Sequence, residues 1–178
     1  ATQTKEPHPS LILIHGYGSN MDDLFSFANY LPEQYTVISL QAPMDSTFGG
    51  GAWYSINFDS NSEKWSDNDE AKTSLVKIID QFDYFTSTYE LNPKDISLIG
   101  FSQGAILSWA LLLDHPFLFR RAICMSGYIN QEILQKPLRE YQDVLAYCSH
   151  GSNDLTIPYE WAKSSIECLK VKNPELSL

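Results

Sequence analysis

The chain has 178 residues, 43% of them hydrophobic, and a formal net charge of −10. That size suits one compact domain, spanning 1–178, with an ample core of its own. The acidic balance argues against a nucleic-acid partner, whose phosphates it would repel. Cys124, Cys148 and Cys168 are odd in number and widely spaced, matching neither a disulfide framework nor a zinc site. They fit a reducing cytoplasm. No metal or organic cofactor is called for. The first ten residues lack the apolar centre of a signal peptide, and no apolar run reaches bilayer-spanning length.

In chain order, Leu11 to Ile14 is a short apolar run of the kind a strand buried on both faces shows. The turn residues His15-Gly16-Tyr17-Gly18-Ser19-Asn20 follow it. Met21 to Leu31 reads as a helix closed by Pro32, and Val37 to Leu40 as a second buried strand ending at Gln41-Ala42-Pro43. Met44 to Trp65 has three consecutive glycines, five aromatics and no regular period, and is expected to be a long functional loop with at most a short strand. Ser66 is the expected cap of the next helix, with Asp69 in its first turn. On that helix Leu75, Ile78, Ile79, Phe82 and Phe85 share one face. Ile96 to Gly100 reads as a strand, and Gln103 to Leu113 as an almost wholly apolar helix that must be buried. Ala122 to Met125 and Val144 to Cys148 are further strands, separated by a polar helical stretch around Gln131 to Gln135. Pro158 to Leu169 reads as a last helix, with Pro158 in its first turn. Strands alternating with helices predict an α/β fold: a mainly parallel sheet covered on both faces.

Between a strand and the buried helix stands Gly100-Phe101-Ser102-Gln103-Gly104, G-x-S-x-G. The bare pattern is weak evidence, but its place at a strand-to-helix turn is that of a nucleophile elbow in an α/β-hydrolase fold. There a serine hydroxyl projects above the sheet at a helix N-terminus, where free N–H groups favour a developing negative charge. Ser102 is therefore the candidate nucleophile. A tetrahedral intermediate needs two donors. In such a fold one is the N–H of the residue after the nucleophile, here Gln103, and the other lies in an early loop, here Tyr17. The acid should follow a later strand, and Asp154 in His150-Gly151-Ser152-Asn153-Asp154 has that place. Its competing role is to cap the helix beginning near Pro158.

The base is the missing member. His8, His15, His115 and His150 all precede Asp154, whereas the expected order is Ser, acid, His. His8 lies in the polar lead-in and His115 at a helix end of opposite sense. His15 and His150 each precede a glycine, where an imidazole more often bonds backbone, and both stay open as lesser candidates for the base. Glu175 to Leu178 reads as the start of a further strand. The expectation is that the C-terminal part of the fold, with the catalytic His, lies beyond Leu178.

HGYGSN at His15, QAP at Gln41, the loop at Trp53, GFSQGA at Gly100 and HGSNDLTIP at His150 together resemble the carboxylesterase/phospholipase family, from about Leu11 onward. The resemblance implies Ser102 and Asp154 as triad members, Tyr17 and Gln103 as the oxyanion hole, and a substrate groove walled partly by the loop of Trp53. The aromatics Phe48, Trp53, Tyr54 and Phe58 agree with such a wall, or else roof the core. One departure is Ser19-Asn20, where thioesterase members usually carry an Asp. The implied substrate is a small-molecule carboxylic ester of short- to medium-chain acids, extending to thioesters or lysophospholipids. An exposed aromatic loop could support a homodimer. The alternative is a non-catalytic binding protein on a hydrolase scaffold, and a serine peptidase ranks below it.

Overall fold

The computed structural model describes residues 7–58, 64–141 and 144–170. Its central layer is a parallel sheet of β1 (His8–Ile14), β2 (Thr36–Leu40), β7 (Leu91–Phe101), β8 (Arg121–Met125) and β9 (Ala146–Ser149), in the order β2-β1-β7-β8-β9. β1 lies between β2 and β7, with Ile14 level with Leu40 on one side and Gly100 on the other. Its Leu11–Ile14 run is buried throughout, as the unbroken apolar pattern requires. Alternate residues serve opposite faces. Ile12 and Ile14 join the main core, while Leu11 and Leu13 pack with Leu24 of the short helix α1 (Met21–Phe25).

The main core is filled by α2 (Asn68–Asp80), α3 (Phe82–Thr88) and above all α4 (Gln103–Asp114), which is buried from Gln103 to Leu113. α5 (Tyr159–Lys170) adds Ile166 and Leu169. The chain leaves β1 toward β2 and leaves β7 toward β8. The two crossovers therefore diverge from adjacent strands, and right-handed connections put α1 and α4 on opposite faces. The carboxyl ends of β1 and β7 form the topological switch point where open α/β sheets bind ligands.

Local readings are corrected in five places. The single helix expected to carry Leu75 to Phe85 divides at Gln81, leaving Phe82 and Phe85 on α3. The helix expected over Met21–Leu31 stops at Phe25 and is followed by a 3-10 turn at Ala28–Tyr30. Only Leu24 of α1 is buried, and the Ser26 hydroxyl caps the Asp23 carbonyl, so little holds a longer helix together. The expected loop from Met44 to Trp65 contains two small antiparallel pairs, β3 (Met44–Asp45) with β4 (Gly51–Ala52) and β5 (Ile56–Phe58) with β6 (Lys64–Ser66). Ser66 thus belongs to a strand, and Asp67 caps α2 by accepting from Asp69 and Glu70 N–H groups. The polar stretch after β8 is a 3-10 turn, Gln131–Ile133, not an α-helix. The Phe58 side chain and the segment Glu175–Leu178 lie outside the described residues.

Leu111 is fully buried at the centre of α4. Leu111→Ala should cost about 2–5 kcal/mol through lost burial and a residual cavity, read as a lower urea midpoint with an unchanged m-value.

Candidate active site

The elbow forms where β7 meets α4. Ser102 has φ 53° and ψ −117°, a conformation costing a non-glycine residue about 1–3 kcal/mol. The surroundings hold it there. Its N–H donates to the Met125 carbonyl (2.9 Å), and its carbonyl accepts from Ala105 and Ile106 N–H groups (3.0 and 3.1 Å). A Cβ at Gly104 would land on the carbonyls of Ile14 and His15, so only glycine lets α4 begin against the end of β1. A Cβ at Gly16 would lie 3.2 Å from the Phe101 ring and 3.3 Å from Ser102 Cβ. The β1 loop therefore sits directly over the elbow.

Gln103 opens α4, and its N–H has no backbone acceptor among the described residues, as expected for a first-turn donor. Its side chain, only 2% exposed with the residue as a whole, turns away from solvent. Oε1 accepts from Trp53 N–H (3.1 Å) and Nε2 donates to the Tyr54 carbonyl (2.7 Å). The Tyr17 N–H likewise has no backbone acceptor among the described residues. Its loop is joined to the β3–β4 hairpin: Gly18 N–H donates to the Gly51 carbonyl (2.8 Å) and Gly51 N–H to the Ser19 carbonyl (2.5 Å). The Tyr17 hydroxyl bonds Thr47 Oγ1 (3.0 Å), and its ring meets Phe48 edge-on.

His15 is buried beneath this loop. Nε2 accepts from Ala42 N–H (3.1 Å), so the proton sits on Nδ1, which donates to the Gly16 carbonyl (2.7 Å). Burial lowers its pKa, outweighing the opposing bond to Gly16. Both ring nitrogens are committed, so His15 braces the loop and has no nitrogen left for Ser102. His150 Nε2 donates to the Ile157 carbonyl (2.8 Å) and lies 3.5 Å from Asp154 Oδ2, fastening the end of β9 to the Asp154 turn. His8 starts β1 and His115 ends α4. Both therefore lie at the amino edge of the sheet, opposite Ser102.

Asp154 follows β9. Its Oδ1 accepts from Thr156 and Ile157 N–H groups (2.8 and 3.0 Å), so it does organise the turn before α5, and its carboxylate keeps partial exposure. A cavity of about 540 Å³ opens beside the elbow. Tyr17, Ser102 and Gln103 line it, together with Phe48, Ile106 and Ile157. Thus three of the expected site residues share one cavity, and the Asp154 turn reaches it through Thr156 and Ile157. Trp53 is placed behind the wall. It is 2% exposed, its Nε1 donates to the His15 carbonyl (2.8 Å), and the neighbouring Tyr54 faces the cavity. Tyr128 and Trp161, which sequence reading did not single out, also line it. The only sequence signal for Tyr128 is its place just after a strand end.

A doubly covered parallel sheet with a serine elbow at its switch point defines an α/β-hydrolase. The chain belongs to the Phospholipase/Carboxylesterase family, matched over residues 1–178, and so to a family of ester hydrolases. It is 27% identical over 174 residues to acyl-protein thioesterase 1 of Kluyveromyces lactis, covering 90% of this chain and 76% of that protein. Among solved structures it is similar to esterase PE8 (TM-score 0.81, 22% identity, 97% of this chain and 82% of that one). It is also similar to a carboxylesterase from Mesorhizobium loti (TM-score 0.76, 19% identity, 94% and 76%).

Because the folded-state pKa of His15 lies below its ordinary 6.5, the unfolded chain binds more protons beneath that pH. The His15 contribution to stability is then complete above pH 6.5 and lost as the pH falls toward the folded value. Half-buried His115, its pKa lowered by desolvation against the opposing charge of Asp114, acts with the same sign. Urea unfolding should show stability declining from pH 7 to pH 5, with a shallower slope in His15→Gln.

Proposed function

We propose that this protein is a serine esterase that hydrolyses short- to medium-chain carboxylic esters, and by extension thioesters or lysophospholipids, through an acyl-enzyme on Ser102. The observation that carries this reading is the left-handed Ser102 at the carboxyl end of β7, lining a cavity beside the N–H groups of Tyr17 and Gln103. Ser102 Oγ attacks the acyl carbonyl while a histidine outside residues 1–178 takes its proton. Asp154 orients that imidazole and stabilises its charged form. The Tyr17 and Gln103 N–H groups hold the oxyanion, each such donor being worth on the order of 10²–10³ in rate. The imidazolium protonates the departing alcohol, and water, deprotonated by the same imidazole, releases the acid and restores Ser102. The odd number and wide spacing of the three cysteines support a cytoplasmic setting.

In the full-length protein Ser102→Ala should lower kcat/KM on a nitrophenyl ester by at least about 10⁴-fold and abolish fluorophosphonate labelling, with the circular dichroism spectrum unchanged. Undiminished labelling of that variant would refute the assignment. Asp154→Asn keeps an oxygen for the Thr156 and Ile157 N–H groups, so the turn should persist. Its kcat should nevertheless fall by roughly 10³–10⁴. A loss below tenfold would leave Asp154 with its capping role alone.

A further inference from the structure

The end of the cavity bounded by the segment after β8, the start of α2 and α5 has a chemistry that acyl transfer does not use. We propose that it is a subsite for a positively charged alkylammonium group, built from Tyr128, Trp161 and Glu132, so that the preferred esters carry such a group. The proposal rests on the esterase reading above. Tyr128 and Trp161 pack edge to face with centroids 5.1 Å apart, and Trp161 is 45% exposed, leaving aromatic surface toward the cavity they both line. Aromatic faces attract cations through the ring quadrupole, most strongly for tryptophan and tyrosine.

Glu132 lines the same cavity and is held in a defined place. Its N–H donates to Asn130 Oδ1 (3.1 Å), Asn130 Nδ2 donates to Asn68 Oδ1 (2.8 Å), and Asn68 Nδ2 donates to the Glu132 carboxylate. The carboxylate is close enough to Tyr128 for its field to be felt there. Burial pushes the phenol pKa up, and Glu132 pushes it further. Among the described residues, no Lys, Arg or His lines the cavity. One carboxylate, two aromatic rings and no cation make a site that favours an ammonium and repels an anion. A neutral acyl chain would need no such carboxylate.

The test compares the choline ester of butanoic acid with its uncharged isostere, 3,3-dimethylbutyl butanoate. A second pair places the trimethylammonium in the acyl part: ethyl 4-(trimethylammonio)butanoate against ethyl 5,5-dimethylhexanoate. The full-length protein should favour the cationic member of at least one pair by about tenfold in kcat/KM, less so at high salt. Glu132→Gln, which retains an acceptor for Asn68, should bring that ratio to within about twofold of unity. Trp161→Leu should lower it as well. Calorimetric binding to Ser102→Ala reads the same preference without turnover. If no ester is cleaved yet the cationic member binds more tightly, the esterase reading fails and the subsite stands. Ratios near one in both pairs, or a preference that survives Glu132→Gln, would overturn the subsite.

Discussion

The approach of α4 to the end of β1 governs the whole carboxyl edge of the sheet, because a helix start can lie on the carbonyls of Ile14 and His15 only where residue 104 has no side chain. From that contact the rest follows. The loop leaving β1 is carried over the turn leaving β7, which brings the backbone of residues 16 and 17 beside Ser102. The strained turn is then over-determined from three sides: by β1 through Gly16, by β8 through the Met125 carbonyl, and by α4 through its own first turn. Backbone strain persists only in such surroundings.

Beneath the two loops runs a buried polar network that fixes them. Gln103 joins Trp53 and Tyr54, Trp53 joins His15, and His15 joins Ala42 and Gly16, while the Ser74 hydroxyl closes on the Trp53 carbonyl. In a site shielded from water each member left without a partner would cost about 1–3 kcal/mol. A neutral imidazole suits this place because one nitrogen gives and the other receives. On the proposed reading, the Tyr17 and Gln103 N–H groups are then donors whose positions are set before substrate arrives, the condition under which electrostatic stabilisation is most effective.

The central strands and α4 were legible because burial on both faces leaves an unbroken apolar run, and the sharp turn at Ser102 was legible because the glycines around it answer to backbone contacts. The expected loop over Met44–Trp65 was not. Strands of two or three residues carry no period, and the β3–β4 pair is set by the meeting of Gly50 with Gly18, a contact between segments about thirty residues apart. Trp53 illustrates the same limit. An aromatic in a glycine-rich stretch reads equally as groove wall or core, and only the bond from its indole to the His15 carbonyl turns it inward. His15 and His150 were legible as backbone-bonding imidazoles, since each closes a strand before a glycine. Tyr128 and Trp161 escaped notice because they come from segments more than thirty residues apart.

The attachment of the β3–β4 hairpin to the Tyr17 loop has a consequence for how this scaffold can change. Phe48, at the exposed tip of the hairpin, shapes one wall of the cavity, and the same hairpin is tied through Thr47 to Tyr17, whose N–H would receive the oxyanion, and through Gly51 to the next residues, Gly18 and Ser19. Wall and donor therefore move as one lever. Remodelling the tip to admit a different acyl group would also shift the donor, trading selectivity against rate in a single mutational step. The opposite wall, carried on α5 and the segment after β8, has no such tie to Tyr17 among the described residues, and is where new substrate preferences could accumulate without slowing the chemistry.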